Sequence, residues 1–179
     1  MAQQLIRQRI SPGDRVIDAT VGNGHDTLFL AQSVGQTGSV IGFDIQEMAI
    51  ASASKLVSGM RQVAFHQMDH AQLAETVTAP IQAAMFNLGY LPSGDKSLIT
   101  KPPSTLSALN STTKILSSGG LITIVVYTGH PGGPEESEAV MVWASALDQS
   151  QFTVIRYDFL NRMNHAPYLL AVEKNSDPQ

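Results

Sequence analysis

The chain has 179 residues, a formal net charge of −4 and no cysteine. This length suits one sizeable core and would be cramped for two, so we expect one domain over residues 1–179. The absence of cysteine excludes disulfides, thiolate metal ligands and a thiol nucleophile, and the histidines show no metal-ligand spacing. The negative charge argues against non-specific coating of nucleic acid. Without a signal-peptide core or a run of ~18 apolar residues, we expect a cytoplasmic protein with no membrane span.

Strand and helix patterns alternate along the chain, beginning with an amphipathic helix over Met1–Ile10. The predicted strands are the apolar runs Arg15–Asp18, Ser39–Phe43, Val63–Phe65, Ile81–Phe86, Leu121–Tyr127, Phe152–Phe159 and Pro167–Val172. The predicted helices between them are Asp26–Val34, Glu47–Ser58, Ser104–Ser117 and Glu135–Leu147, with glycines at several ends. Seven strands interleaved with helices predict an α/β fold: a doubly wound, mostly parallel, Rossmann-like sheet that finishes in an antiparallel hairpin.

The turn after the first strand, residues 18–26, reads Asp-Ala-Thr-Val-Gly-Asn-Gly-His-Asp. Gly22 and Gly24 allow the backbone to approach a ligand, and the following helix start offers free N–H groups. Dinucleotides and S-adenosylmethionine (SAM) are both bound by such turns. Thr27 stands where a dinucleotide fingerprint needs its third glycine, and Asp18 suits the cationic amino-acid end of SAM. We therefore favour SAM, and an NAD-dependent oxidoreductase is the alternative of another class.

Acidic residues also follow the second and third strands. Asp44 lies twenty residues beyond Gly24, the placement of a carboxylate that accepts hydrogen bonds from ribose hydroxyls. The alternative is that Asp44 caps the next helix. Asp69 and His70 follow the third strand, where either side chain can meet the adenine amino group. Asp69 is equally placed to cap a helix over Ala71–Thr76.

Two loops follow the fourth and fifth strands. Asn87 offers an amide at the reactive end of a cofactor, and Tyr90 offers a flat face for stacking. A plain turn is the alternative for this loop. His130, framed by glycines within residues 127–133, indicates a lid or substrate loop rather than core packing, and an exposed loop is the alternative.

Four motifs resemble, in the same order, those of small bacterial class I methyltransferases that were long labelled rRNA methylases and are now associated with tRNA. These motifs are residues 18–26, 42–46, 87–96 and 127–133, so the resemblance covers nearly the whole chain. It implies SAM-dependent methylation of the 5-aminomethyl group on the wobble uridine, often 2-thiolated, of certain tRNAs. On the matching positions it implies that the residues around SAM are Asn23, Asp26, Asp44, Gln46, Asp69 and His70.

Methyl transfer to an amine needs a neutral, well-placed nucleophile, and a closed pocket favours the neutral form. We hypothesise that Asn87 orients the amine and that Tyr90 stacks on the uracil. His130 would take the proton or close the lid, with Asp95 as the alternative proton acceptor.

The cations Lys96, Lys101 and Arg162 are the expected contacts to phosphates of the tRNA anticodon loop. Loops after parallel strands share one sheet edge, which places Lys96 and Lys101 beside the cofactor, and Arg162 can reach that edge if the sixth strand runs parallel to the others. The alternatives are scattered solubilising charges, or RNA bound across a homodimer through Arg7 and Arg9. Methylation of ribosomal RNA or of a small amine keeps the same cofactor argument. A non-enzymatic RNA-binding module is disfavoured by the net negative charge.

Overall fold

Strands and helices alternate in the computed structural model, which describes residues 1–89, 99–162 and 166–176. The strands are β1 Arg15–Asp18, β2 Ser39–Asp44, β3 Val63–Gln67, β4 Ile81–Leu88, β5 Leu116–Val126, β6 Phe152–Tyr157 and β7 Tyr168–Lys174. The helices are α1 Ala2–Arg7, α2 His25–Val34, α3 Glu47–Leu56, α4 Leu73–Thr76, α5 Pro102–Ile115 and α6 Gly133–Ser145, with a 3₁₀ turn at His70–Gln72. No helix in these ranges is long and apolar enough to cross a bilayer.

The strands form one sheet with the order β3-β2-β1-β4-β5-β7-β6. Strands β1 to β5 pair in parallel, and β7 lies antiparallel between β5 and β6. This arrangement confirms the predicted fold class. Because β5 and β6 both oppose β7, the carboxyl end of β6 lies on the same edge as those of the parallel strands. The direction of chain progression reverses between β1 and β4, the point where such sheets bind ligands.

Apolar side chains cover both faces of the sheet, which explains why its strands are near-continuous apolar runs. Adjacent residues of a strand point to opposite faces, so Val16 packs with α1 and α2 while Ile17 packs in the larger core with α5 and α6. Both side chains are fully buried. The helices therefore cover the central strands on both faces, and the segments at the carboxyl edge extend from buried strands.

The fourth and fifth strands begin or end elsewhere than the sequence predicts. Strand β4 continues to Leu88, so Asn87 lies within the strand, paired with Val125, rather than after it. Strand β5 begins at Leu116, where a helix was expected, and its register with β4 shifts before Leu121. Gly119 has a φ of +72°, and a Cβ on Gly120 would lie 2.8 Å from the carbonyl oxygen of Ser117. These glycines accommodate an irregular strand entry and do not end a helix.

Gly24 serves helix packing, which corrects its predicted role in the approach to a ligand. It is the N-cap of α2, with a φ of +83°, and it does not line the cavity described below. A Cβ at this position would lie 2.7 Å from the Cβ of Ala53 on α3. Gly24 thus permits the close approach of α2 and α3.

We predict that Gly24→Ala lowers the free energy of unfolding by about 2–5 kcal/mol, because it combines a left-handed backbone with overpacking. Gly59→Ala is the matched control, since Gly59 has a φ of +84° and a Cβ there would have no atom within 4 Å. The control should lose only about 1–2 kcal/mol. Urea unfolding of both variants measures the difference, and equal losses would contradict the packing role.

Candidate active site

A cavity of about 580 Å³ opens at the carboxyl edge where β1 and β4 meet. Its volume lies within the ~300–1,000 Å³ range of small-molecule sites. The wall is built by the segments after β1 and β3, by the ends of β2 and β4 with the residues that follow them, by Tyr127 after β5, and by the start of α5. The predicted site residues that line it are Gly22, Asn23, Asp26, Asp44, Gln46, Asp69, His70, Asn87 and Lys101.

Asp44 ends β2 and holds two loops through its carboxylate. Its Oδ2 accepts a hydrogen bond from the backbone nitrogen of Gly22 at 2.9 Å, and its Oδ1 accepts one from the nitrogen of Gln46 at 2.9 Å. The N-cap of α3 is Gln46, so the alternative that Asp44 caps this helix is wrong. Each carboxylate oxygen has a second lone pair for a ligand hydroxyl.

Asp69 and His70 form the wall beyond β3. Asp69 accepts hydrogen bonds from the nitrogen of Ala71 and the hydroxyl of Ser104, so it does cap the 3₁₀ turn. Burial acts to raise the pKa of Asp69, but those two hydrogen bonds outweigh it and hold the pKa below its usual value. Asp69 is therefore a charged cap that also lines the cavity.

The His70 ring is neutral and its tautomer is determined by its surroundings. Nδ1 lies 3.1 Å from the carbonyl oxygen of Ala19, which can only accept, so Nδ1 carries the hydrogen. Burial lowers the pKa of His70, which keeps the ring uncharged. Its Nε2 has no hydrogen-bond partner within the described ranges. The neighbouring ring of Phe86 packs edge-on at 6.0 Å.

The Asp26 side chain connects the turn after β1 with Asn87, the candidate catalytic residue on β4. Its Oδ2 accepts from the amide nitrogen of Asn87 at 2.7 Å, and its Oδ1 accepts from Gln3 Nε2 at 2.7 Å. A carboxylate accepts and never donates, so the Asn87 side-chain carbonyl must face away from Asp26. Thr20 supports the same residue, since its hydroxyl accepts from the Asn87 backbone nitrogen at 2.7 Å. Sequence reasoning missed Gln3, because a helix pattern carries no signal for this tertiary contact.

Asp18 does not reach the cavity, which corrects its predicted contact with a cationic ligand group. Its carboxyl is fully buried, accepting from the Thr27 hydroxyl at 2.5 Å and the Thr20 nitrogen at 3.3 Å. Burial raises the pKa of Asp18 to about 7. Within the turn motif, the carboxylate that lines the cavity is that of Asp26.

The other predicted site residues either lie outside the described residues or do not line this cavity. Tyr90 and Lys96 lie outside the described residues. His130 is not part of the wall: its Nδ1 lies 3.0 Å from the carbonyl oxygen of Pro131, and its Nε2 would be 3.3 Å from a Cβ on Gly89. Arg162 follows β6, away from the cavity wall, with its guanidinium 4.7 Å from the ring centroid of Phe159.

The fold and this cavity define the chain as an α/β protein of the Rossmann-like methyltransferase class. A family model described as "Putative rRNA methylase" matches residues 40–173. The chain belongs to this rRNA methylase family, which confirms the family predicted from its motifs.

Two solved structures and one curated relative cover most of the chain. A crystal structure of a "putative rRNA-methylase" from Clostridium thermocellum is 43% identical, covers 97% of this chain and 95% of its own, and has a TM-score of 0.94. A methyltransferase of Streptococcus mutans in complex with SAH is 37% identical, with coverages of 97% and 95% and a TM-score of 0.89. The chloroplastic tRNA (mnm(5)s(2)U34)-methyltransferase of Arabidopsis thaliana is 43% identical over 175 residues, or 90% of this chain. The chain spans 64% of that plant protein's length.

We predict that Asp18→Asn removes a pH-dependent loss of stability. The folded pKa of Asp18, about 7, exceeds its ordinary value of 3.8, so the folded protein binds the proton more tightly. Asp18 therefore supports folding at low pH, and this support is lost as pH rises through about 7. The stability of Asp18→Asn relative to the native chain should increase between about pH 4 and pH 7, by about 1.4 kcal/mol per pH unit, and should level off above about pH 7. Urea titrations at each pH test this, and a constant difference would show that Asp18 ionises normally.

Proposed function

We propose that the chain is a SAM-dependent methyltransferase that methylates the 5-aminomethyl nitrogen of the wobble uridine in tRNA. The observation that carries the substrate assignment is the 43% identity over 175 residues to the plant tRNA (mnm(5)s(2)U34)-methyltransferase. The cofactor assignment is supported further by the Streptococcus mutans relative, whose structure is a complex with SAH. The residues of the cavity fit the same cofactor.

The cavity matches the chemical groups of SAM. Asp44 offers lone pairs to ribose hydroxyls, and the neutral His70 supplies an acceptor nitrogen beside the Asp69 carboxylate for the adenine end. Asp26 suits the cationic amino-acid end. Three carboxylates in one wall attract a cation and repel a pyrophosphate, which favours SAM over a dinucleotide. When bound, SAM would supply a methyl group that a nucleophile attacks, with the C–S bond of the sulfonium breaking and SAH leaving.

Asn87 is the residue we assign to the substrate amine. Its carbonyl, turned away from Asp26, accepts a hydrogen bond from the amine and leaves the nitrogen lone pair for attack. Removal of water by the bound RNA favours the neutral amine. Tyr90 is assigned to stacking on the uracil. His130 lies against Gly89, because a Cβ on Gly89 would be 3.3 Å from His130 Nε2. This position favours a role of His130 in supporting the end of β4 over a role as the proton acceptor.

The carboxyl edge offers contacts for an anionic RNA around the cavity. Lys101 lines the cavity with an exposed side chain, and Arg162 lies at the same edge because β6 runs in the direction of the parallel strands. Phe159, 50% exposed, presents a flat ring under the Arg162 guanidinium. We assign Lys101, Arg162 and Lys96 to the phosphates of the anticodon loop, with the wobble base turned outward into the site.

Ribosomal RNA is the second candidate substrate, and the description of the family model favours it. The cavity residues assigned to SAM serve either RNA equally. The distinction lies in which nucleoside receives the methyl group, so the assay must present both RNAs.

The substrate proposal predicts that purified protein and SAM convert tRNA containing 5-aminomethyluridine at the wobble position into the methylaminomethyl product. The same tRNA with an unmodified wobble uridine is the matched control, because it lacks the nucleophile. Ribosomal RNA and a small primary amine complete the comparison, and mass spectrometry of digested nucleosides locates the methyl group. Methylation of ribosomal RNA alone would replace the tRNA assignment with the second candidate.

We predict that Asp44→Ala weakens SAM binding at least about tenfold, because each charge-assisted hydrogen bond contributes about 1.5–3 kcal/mol. Asp44→Asn retains one acceptor oxygen and should lose less. Asp148→Ala is the control, since Asp148 is an exposed carboxylate bound to Ser150, outside the cavity. Titration calorimetry gives the affinities and thermal melting verifies folding. Unchanged affinity in a folded Asp44→Ala variant would remove the ribose assignment.

A further inference from the structure

Glu136 is a buried carboxylate that neither lines the cavity nor enters the proposed transfer. It lies in the first turn of α6 and is 1% exposed. Its Oε2 accepts from the Thr100 hydroxyl at 2.6 Å, and its Oε1 accepts from the Thr105 hydroxyl at 2.6 Å. A buried charge is costly unless hydrogen bonds satisfy it. The hydroxyls of Thr100 and Thr105 provide these hydrogen bonds, and of the two residues only Thr100 also lines the cavity.

Thr100 connects Glu136 to the end of β4. Its hydroxyl oxygen accepts from the Gly89 nitrogen at 2.9 Å, and its own backbone nitrogen donates to the Gly89 carbonyl at 2.9 Å. Because a carboxylate only accepts, the Thr100 hydroxyl hydrogen must point to Glu136. Its lone pair is then available to the Gly89 N–H. Since the Gly89 N–H can only donate, the two hydrogen bonds run in one direction, from Gly89 through Thr100 to Glu136.

Gly89 lies two residues beyond Asn87 and is packed closely on its other side. Its φ is +148°, and a Cβ there would lie 3.6 Å from the Cβ of Tyr127 and 3.3 Å from His130 Nε2. The carbonyl of Leu88 also accepts from the Tyr127 nitrogen at 3.3 Å. The hydrogen bonds from Gly89 through Thr100 to Glu136 therefore hold the end of β4 next to the loop after β5, two residues from Asn87.

We infer that Glu136 and Thr100 are positioning residues for methyl transfer, acting through Gly89 to hold Asn87 in alignment with the substrate amine. The inference rests on the proposed function for its catalytic part. Thr105 binds the same carboxylate from α5 and has no hydrogen bond to β4 among those of the described residues. Thr105 therefore allows the effect of losing one hydrogen bond to Glu136 to be separated from the effect of losing the connection to Gly89 and Asn87.

The test compares Thr100→Val with Thr105→Val, because each removes one hydroxyl from Glu136 at nearly constant shape. Thr100→Val should lower kcat about 10- to 100-fold at saturating substrates, with SAM affinity within about twofold, since only alignment is lost. Thr105→Val should remain within about threefold of the native kcat. Thr100→Ser restores the hydroxyl and should recover most of the activity. Equal kcat values for the two valine variants would overturn the inference.

Glu136→Gln and the double variant Glu136→Gln/Thr100→Val separate the hydrogen-bond chain from direct contact of Thr100 with a ligand. Residues acting in one chain give losses that do not add, so the double variant should match Thr100→Val. Fully additive losses would overturn a shared role.

Hydrogen exchange at the Gly89 amide provides a measurement that needs no turnover. It should be faster in Thr100→Val than in Thr105→Val, because only Thr100 accepts that N–H. Unchanged exchange overturns the hydrogen-bond chain, and faster exchange with native kcat overturns its positioning role. A native protein inactive on every substrate would instead refute the proposed function, and the exchange result would still decide whether the chain of hydrogen bonds exists.

Discussion

The hydrogen bond between Asn87 and Asp26, 2.7 Å long, joins the two sides of the reversal in the sheet. Asn87 belongs to β4, and Asp26 belongs to the first turn of α2 after β1. Gln3 extends the contact to α1, so one carboxylate links elements from three parts of the fold. The Thr20 hydroxyl, which accepts from the Asn87 backbone nitrogen at 2.7 Å, joins the same two walls a second time. The orientation of the amide, on which the proposed chemistry depends, follows from the hydrogen bond to Asp26.

The balance between burial and hydrogen bonding around each carboxyl decides what that carboxyl can do. Asp69 has two donors and partial contact with the cavity, and hydrogen bonding overcomes burial to keep its pKa low. Asp18 is fully enclosed, and the same kinds of donors fail to offset burial, so its pKa is high. Glu136 accepts hydrogen bonds from two threonine hydroxyls, and one of these, that of Thr100, also binds the end of β4. Three acidic residues thus have three different roles: Asp69 is a charged part of the cavity wall, Asp18 is a buried contact to Thr27, and Glu136 holds Thr100 and Thr105.

Much of the fold and part of the site could be predicted because they depend on spacing along the chain. The place of Asp44 follows from its distance to Gly24 and from the end of an apolar strand. The direction of a side chain depends on tertiary contacts instead, and Asp18 turns inward because Thr27 from α2 binds it. The role of Gly24 depends on Ala53 of another helix. Neither local periodicity nor motif spacing contains that information.

The position of β7 between β5 and β6 has a consequence for the order of folding during synthesis. Strand β5, the longest in the described ranges, pairs on one side with β4 and on the other with β7, which is also the last strand in sequence. The backbone N–H and C=O groups on that edge of β5 therefore have no strand partner until β7 has emerged from the ribosome, after α6 and β6. Unpaired strand edges of this kind promote association between chains.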